Sequence, residues 1–233
     1  MPFMTSPRLF RAAALVLGGV LVLCPIGVQA AVVVYGNLGN SGTNALSGST
    51  NAFVSDTQWL AQAFTVGGTN TILQTVSAGL YDTEATTATL RLFPNVSGVP
   101  GGSAIATQTQ VVNQTTASLF VFNFNAQLVS GSTYWAVLSS ADGAETGFNW
   151  AFNNAGNAPS TRNTSGWTFP DDGETLIGTK LTTNSGATWG DSGVNRPASI
   201  SITATAVPEP STYAMAAAAA GLYGLAKLRR RRT

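Results

Sequence analysis

The 233-residue chain contains no histidine, and its one cysteine, Cys24, lies in an apolar run near the start. Without histidine a Ser-His-Asp triad cannot be assembled. Without a second cysteine neither a disulfide framework nor a Cys/His zinc site is available. Charge is scarce too: 9% of residues are charged, against about 25% in an ordinary soluble protein. Between Ala31 and Ala206 four bases, Arg91, Arg162, Lys180 and Arg196, meet nine carboxylates, a net charge of −5. The overall +1 comes from bases at the two ends. An acidic body with few cations cannot neutralise a row of phosphates, so no nucleic-acid partner is expected. The usual phosphate loop, glycine-rich with Lys and Ser or Thr, is missing as well.

Gly, Ser, Thr and Asn fill the space that Lys and Glu normally take, alongside Val, Ile and aromatic residues. The first group suits turns and the second suits strands. Alternation with a period of two predicts half-buried strands at Thr75 to Tyr81, Ala88 to Phe93, Ser118 to Phe124 and Ser199 to Ala206. Val32 to Tyr35 and Tyr134 to Leu138 are apolar on both sides, which predicts strands covered on both faces or strands at a sheet-to-sheet contact. Turn clusters separate these runs at Gly67-Gly68, Gly98 to Gly102, Ser130 to Ser132 and Gly190 to Gly193. Many short strands at this spacing give an all-β fold class, a single β-sandwich or jelly-roll-like ectodomain over residues 31–206.

The two ends read differently. Arg8 and Arg11 precede the apolar stretch Ala12 to Leu23, and Val28-Gln29-Ala30 offers small residues for cleavage. Residues 1–30 are therefore expected to be a signal peptide in a helical form, removed by signal peptidase after Ala30. At the other end, Val207-Pro208-Glu209-Pro210 is followed by the apolar run Thr212 to Ala226 and then Lys227, Arg229, Arg230, Arg231 and Arg232. An apolar, alanine-rich helix can enter a bilayer because it satisfies its own backbone groups, and the basic cluster would stay cytoplasmic. The run is short, so those bases are expected to reach for the interface. A C-terminal transmembrane helix in a membrane-anchored precursor follows as an expectation.

This tripartite end, residues 207–233, resembles the PEP-CTERM sorting signal of Gram-negative bacteria. The resemblance implies an exosortase that recognises Pro208-Glu209-Pro210, cuts nearby and delivers the protein to an exopolysaccharide-rich envelope. The stretch Leu60 to Leu138 resembles choice-of-anchor ectodomains, most closely the R type. It carries Gln62-Ala63-Phe64-Thr65-Val66, Leu90-Arg91-Leu92-Phe93, Gly98-Val99-Pro100-Gly101, Leu128, Gly131 and Thr133-Tyr134-Trp135 in the order seen there. That second resemblance implies a surface location and β architecture, and no activity.

Candidate chemistry is thin. Asp171, Asp172 and Glu174 cluster oxygen ligands on a loop and are the calcium candidates; Asp142 and Glu145 form a poorer second cluster. Together with Asp191 the first three are also the only candidates for a paired-carboxylate glycoside hydrolase. Acidic residues in Gly-flanked loops are usually solvated turn formers, so no catalytic residue is assigned. Trp150, Trp167 and Trp189 sit in polar, Gly- and Asn-rich surroundings, and an exposed indole can stack on a sugar ring. The competing reading puts such tryptophans in the core, as expected for Trp135. Asn95, Asn113 and Asn163 open Asn-x-Ser/Thr triplets that carry little information in a chain this rich in Asn and Thr. The sequence thus favours a non-enzymatic, exported surface or matrix protein, with exopolysaccharide binding as the alternative.

Overall fold

The computed structural model describes residues 30–36, 38, 51–82, 84–141, 146–152, 166–168, 179–191, 198–207, 218–223 and 227. The chain divides into one unit of Val28–Val207 and another built from Met1–Gly27 with Pro208–Thr233. In the second unit residues 218–223 are helical. No helix among the described residues is long and apolar enough to cross a membrane. The expected signal helix and most of the expected span Thr212 to Ala226 lie outside the described residues.

The first unit is an all-β sandwich of two antiparallel sheets. One sheet contains β1 (Val32–Gly36), β2 (Asn51–Val54), β4 (Thr71–Tyr81), β8 (Ser118–Leu128), β10 (Phe148–Ala151) and β13 (Ile200–Ala206). The other contains β3 (Trp59–Thr65), β5 (Thr86–Val96), β6 (Val99–Pro100), β7 (Ala106–Val112), β9 (Thr133–Ser140), β11 (Thr179–Thr182) and β12 (Gly190–Asp191). Strand β13 is hydrogen-bonded on both sides, to β1 and to β4. In the second sheet β3 lies between β11 and β9, and β5 between β9 and β7. At one edge β7 and β8 approach each other, and Gln110 Nε2 donates to the Val121 carbonyl (3.1 Å).

The alternating residues fill the space between the sheets, as a half-buried strand requires. Val76, Ala78 and Leu80 from β4, Ala88, Leu90 and Leu92 from β5, and Ile200, Ile202 and Ala204 from β13 are all fully buried in one core. Phe122 and Phe124 enter from β8, with Phe120 packed at the margin. β4 begins four residues before its legible alternation. Its register slips between Leu73 and Thr75, so Leu73 and Val76 both point inward although three positions apart. A bulge of this kind bends a strand and re-aims its side chains.

Of the two strands expected to be covered on both faces, one departs from the sequence reading. β9 is covered on both faces as expected: Tyr134, Ala136 and Leu138 join the main core, and Trp135 and Val137 join a second cluster outside the sheet. β1 is not. It is an edge strand paired only with β13, with Val34 buried and Val32 exposed. An edge strand needs one buried face, and its apolar run supplies it.

A buried amide ties the layers together. Gln62, fully buried on β3, accepts hydrogen bonds at Oε1 from the Thr179 hydroxyl (3.2 Å) and the Ala198 amide (3.2 Å), and Nε2 donates to the Ala63 carbonyl (3.2 Å). Ala198 leads into β13 in the opposite sheet, so this side chain is a cross-link between layers.

The entry to β10 is close-packed. A Cβ on Gly147 would fall 2.1 Å from the Val54 carbonyl oxygen and 2.6 Å from Phe53 Cζ. Gly147→Ala is therefore expected to prise β2 from β10 at a cost of about 1–3 kcal/mol. A lowered urea midpoint would report it, and an unchanged midpoint would contradict the packing described.

Candidate functional site

The outer face of the second sheet carries an aromatic layer that the alternation of β3, β5 and β9 assembles. Residues that pair directly across a sheet share a face. One row reads Asp191, Lys180, Ala61, Val137, Arg91 and Thr107 across six strands. The neighbouring row brings Ala63, Trp135 and Phe93 together. Ala61, Ala63, Trp135 and Val137 are buried, and Trp59, Phe93 and Trp189 pack against them from the solvent side, each half-buried.

Hydrogen bonds fix the members of this layer. Trp135 Nε1 donates to Asn95 Oδ1 (2.8 Å), and Trp59 Nε1 donates to the Asp56 carbonyl (2.6 Å). Trp189 follows a tight turn between β11 and β12. There the Thr182 hydroxyl donates to Asn184 Oδ1 (2.6 Å), which also accepts from the Thr188 amide (2.9 Å). The Ser185 amide and hydroxyl reach the Thr57 and Asp56 carbonyls (3.0 and 3.1 Å), anchoring the turn beside Trp59. Gly186 has φ +85°, and a Cβ there would stand 2.8 Å from Trp59 Cζ3. Both the conformation and the close approach call for glycine.

Arg91 crosses this layer. Its guanidinium lies 5.0 Å from the Trp59 ring centroid, and Nη1 donates to Ser139 Oγ (2.5 Å). A guanidinium over an indole face is an attractive cation–π arrangement. Burial pulls the Arg91 pKa below its ordinary value, desolvation being the cause. Lys180 differs: its Nζ pairs with Asp191 Oδ1 at 2.6 Å, the one ion pair among the described residues.

The three tryptophans considered for sugar stacking separate into two groups. Trp150 is fully buried, its Nε1 donating to the Ser199 carbonyl (3.2 Å) and its ring tilted against Phe152. Trp167 is also in the core, stacked on Phe64 with centroids 5.8 Å apart. Neither offers a ring face to solvent, because both close the gap between the sheets. Only Trp189 lies on an outer face. Its partners Trp59, Phe93 and Arg91 were not singled out by sequence. The alternation Trp59-x-Ala61-x-Ala63 opposite Trp135-x-Val137 is the signal, and it becomes readable only once the register is known.

Asp171, Asp172 and Glu174 lie outside the described residues, as do Asp142 and Glu145. Asp191, the fourth carboxylate considered for hydrolysis, is taken up by Lys180. Among the described residues no three acidic or thiol side chains converge as a metal site would require.

At the tail junction, the Val207 amide donates to the Asn70 carbonyl (2.8 Å). Residues 206 and 207 are thus still held by the sandwich, while Pro208, Glu209, Pro210 and Arg229 to Arg232 lie outside the described residues; Lys227 is exposed. Because Val32 pairs with Ala204 in an antiparallel ladder, the expected cleavage point after Ala30 and the start of the tail lie at the same end of β1 and β13.

Residues 206–232 match the PEP-CTERM protein-sorting motif. No curated protein matches the chain. Among solved structures, the cysteine protease and lectin-like domains of Cwp84, a surface layer associated protein of Clostridium difficile, align at 14% identity and a TM-score of 0.44, over 65% of this chain and 33% of that one. Clostridial cysteine protease Cwp84 after propeptide cleavage aligns at 13% identity and a TM-score of 0.46, over 68% of this chain and 38% of that one. The chain spans about a third of the first and 38% of the second.

Proposed function

Because residues 206–232 carry a PEP-CTERM protein-sorting motif, which marks an exosortase-sorted surface protein, we propose that the chain is a non-enzymatic component of an exopolysaccharide-rich surface or matrix. The observation that carries this is the motif itself, placed directly after the last strand of a folded sandwich. Signal peptidase would release the N-terminus after Ala30. The tail would hold the precursor in the inner membrane until exosortase acts near Pro208-Glu209-Pro210. The chain has no histidine, so histidine-based general-base and triad chemistry is excluded.

Replacing Pro208, Glu209 and Pro210 together by alanine tests this. Export should persist while an unprocessed product accumulates, seen as intact mass in cell and medium fractions. Unaltered processing would remove the exosortase reading.

A second reading has its own support. The aromatic layer of Trp59, Phe93 and Trp189 on an outer sheet face is suited to carbohydrate binding, since aromatic rings present apolar area to the C–H face of a sugar.

A further inference from the structure

We infer that Trp59, Arg91, Phe93 and Trp189 form a subsite for an acidic saccharide, with the guanidinium, backed by the Trp59 ring, pairing to a uronate carboxylate and the Phe93 and Trp189 rings taking the sugar's C–H face. This rests on the carbohydrate-binding reading above and narrows its ligand class.

The argument starts from an uncompensated cation. Arg91 is half-buried, and its one polar partner is the neutral Ser139 hydroxyl. Taking a guanidinium partly out of water is unfavourable unless an anion or several acceptors replace the lost hydration. Lys180, three strands away in the same row, has that compensation from Asp191. Arg91 has none among the described residues. Asp56 is the nearest carboxylate in sequence to Trp59, yet it makes no ion pair, and its Oδ1 is buried without a partner.

The charge is also held in place. Stacking on Trp59 and bonding to Ser139 orient the planar fork, and a fork fixed in this way suits bidentate pairing with a carboxylate. Phe93 stands two residues further along the same face of β5, roughly 7 Å away. Trp189 is carried by a turn whose donors and acceptors are largely satisfied internally. A flat, preordered surface loses little freedom on binding. Its combination of apolar rings with one unpaired cation fits a sugar acid better than a neutral sugar. The body's net charge of −5 gives no long-range attraction to a polyanion, so recognition has to come from this local pair.

The test is calorimetric titration of the purified protein with oligogalacturonate and, separately, with a neutral cello-oligosaccharide of equal length. Oligogalacturonate is expected to bind about tenfold more tightly, the scale of one charge-assisted pair. Arg91→Gln should abolish that preference, and Arg91→Lys should restore part of it. Trp189→Ala, on an exposed turn, should weaken both ligands by about tenfold, with the urea midpoint of each variant confirming that it folds. Equal affinity for the two ligands, or oligogalacturonate binding that survives Arg91→Gln, would overturn the acidic subsite and leave the carbohydrate reading standing. Failure of both ligands to bind would overturn the two together.

Discussion

Trp150→Ala should lower the folding stability by about 3–5 kcal/mol, the range for deleting a large aromatic side chain from a core. Trp150 is fully buried, packed with Phe152 in the main cluster, and its indole N–H is satisfied by the Ser199 carbonyl. Truncation removes the apolar contacts and one of the two donors to that carbonyl, which keeps the Gly79 amide (3.1 Å). The surrounding strands cannot close the gap, because β10 is held to β2 on one side and β4 on the other. Domains of this kind have about 5–15 kcal/mol in total, so much of the margin would be lost. Urea unfolding followed by fluorescence of the remaining tryptophans measures it. A variant that unfolds at the wild-type midpoint would refute the core placement. Any glycan binding lost in this variant would report unfolding rather than a missing contact.

Gln62→Leu is expected to cost about 2–6 kcal/mol, from two buried donors that lose an acceptor at about 1–3 kcal/mol each. Leucine is within about one methylene of glutamine in volume, so packing is expected to be the smaller part of the loss. The larger part would come from the Thr179 hydroxyl and the Ala198 amide, both of which now bond to Gln62 Oε1. Pairing the change with Thr179→Val should recover part of the deficit, because it removes one stranded donor. Additive destabilisation in the double variant would show that the amide does not bridge these groups. Hydrogen exchange at Ala198 gives a second reading, since loss of the bond should speed it.

The strands that could be read from sequence are those where one face meets the core and the other meets water. Ile200, Ile202 and Ala204 alternate with Ser201, Thr203 and Thr205, and β13 follows them without interruption. β4 was legible only from Thr75 onward. Its bulge places Leu73 and Val76 on one face, and a period of two cannot express a spacing of three. Trp150 and Trp167 show a different limit. Polar neighbours in sequence suggested exposure, whereas burial is set by partners far along the chain, Ser199 for one and Phe64 for the other. Arg91 was read as one of four bases between Ala31 and Ala206 and as part of the run Leu90-Arg91-Leu92-Phe93, with no site role. Its pairing with Trp59 spans β5, β9 and β3, and the side chains that meet there are 32 positions apart. The tail was legible for the opposite reason: a sorting signal is linear, and its order of proline motif, apolar run and arginines requires no folding to be recognised.

The bond from the Val207 amide to the Asn70 carbonyl keeps residues 206 and 207, the first two matched by the sorting motif, within the sandwich. Any tension on the chain beyond that point enters β13 lengthwise. This strand is flanked by β1 and β4, so the load is spread as shear over two ladders of hydrogen bonds instead of peeling them open singly. Under the tail anchoring proposed above, a pull on the tail would be carried by both ladders at once.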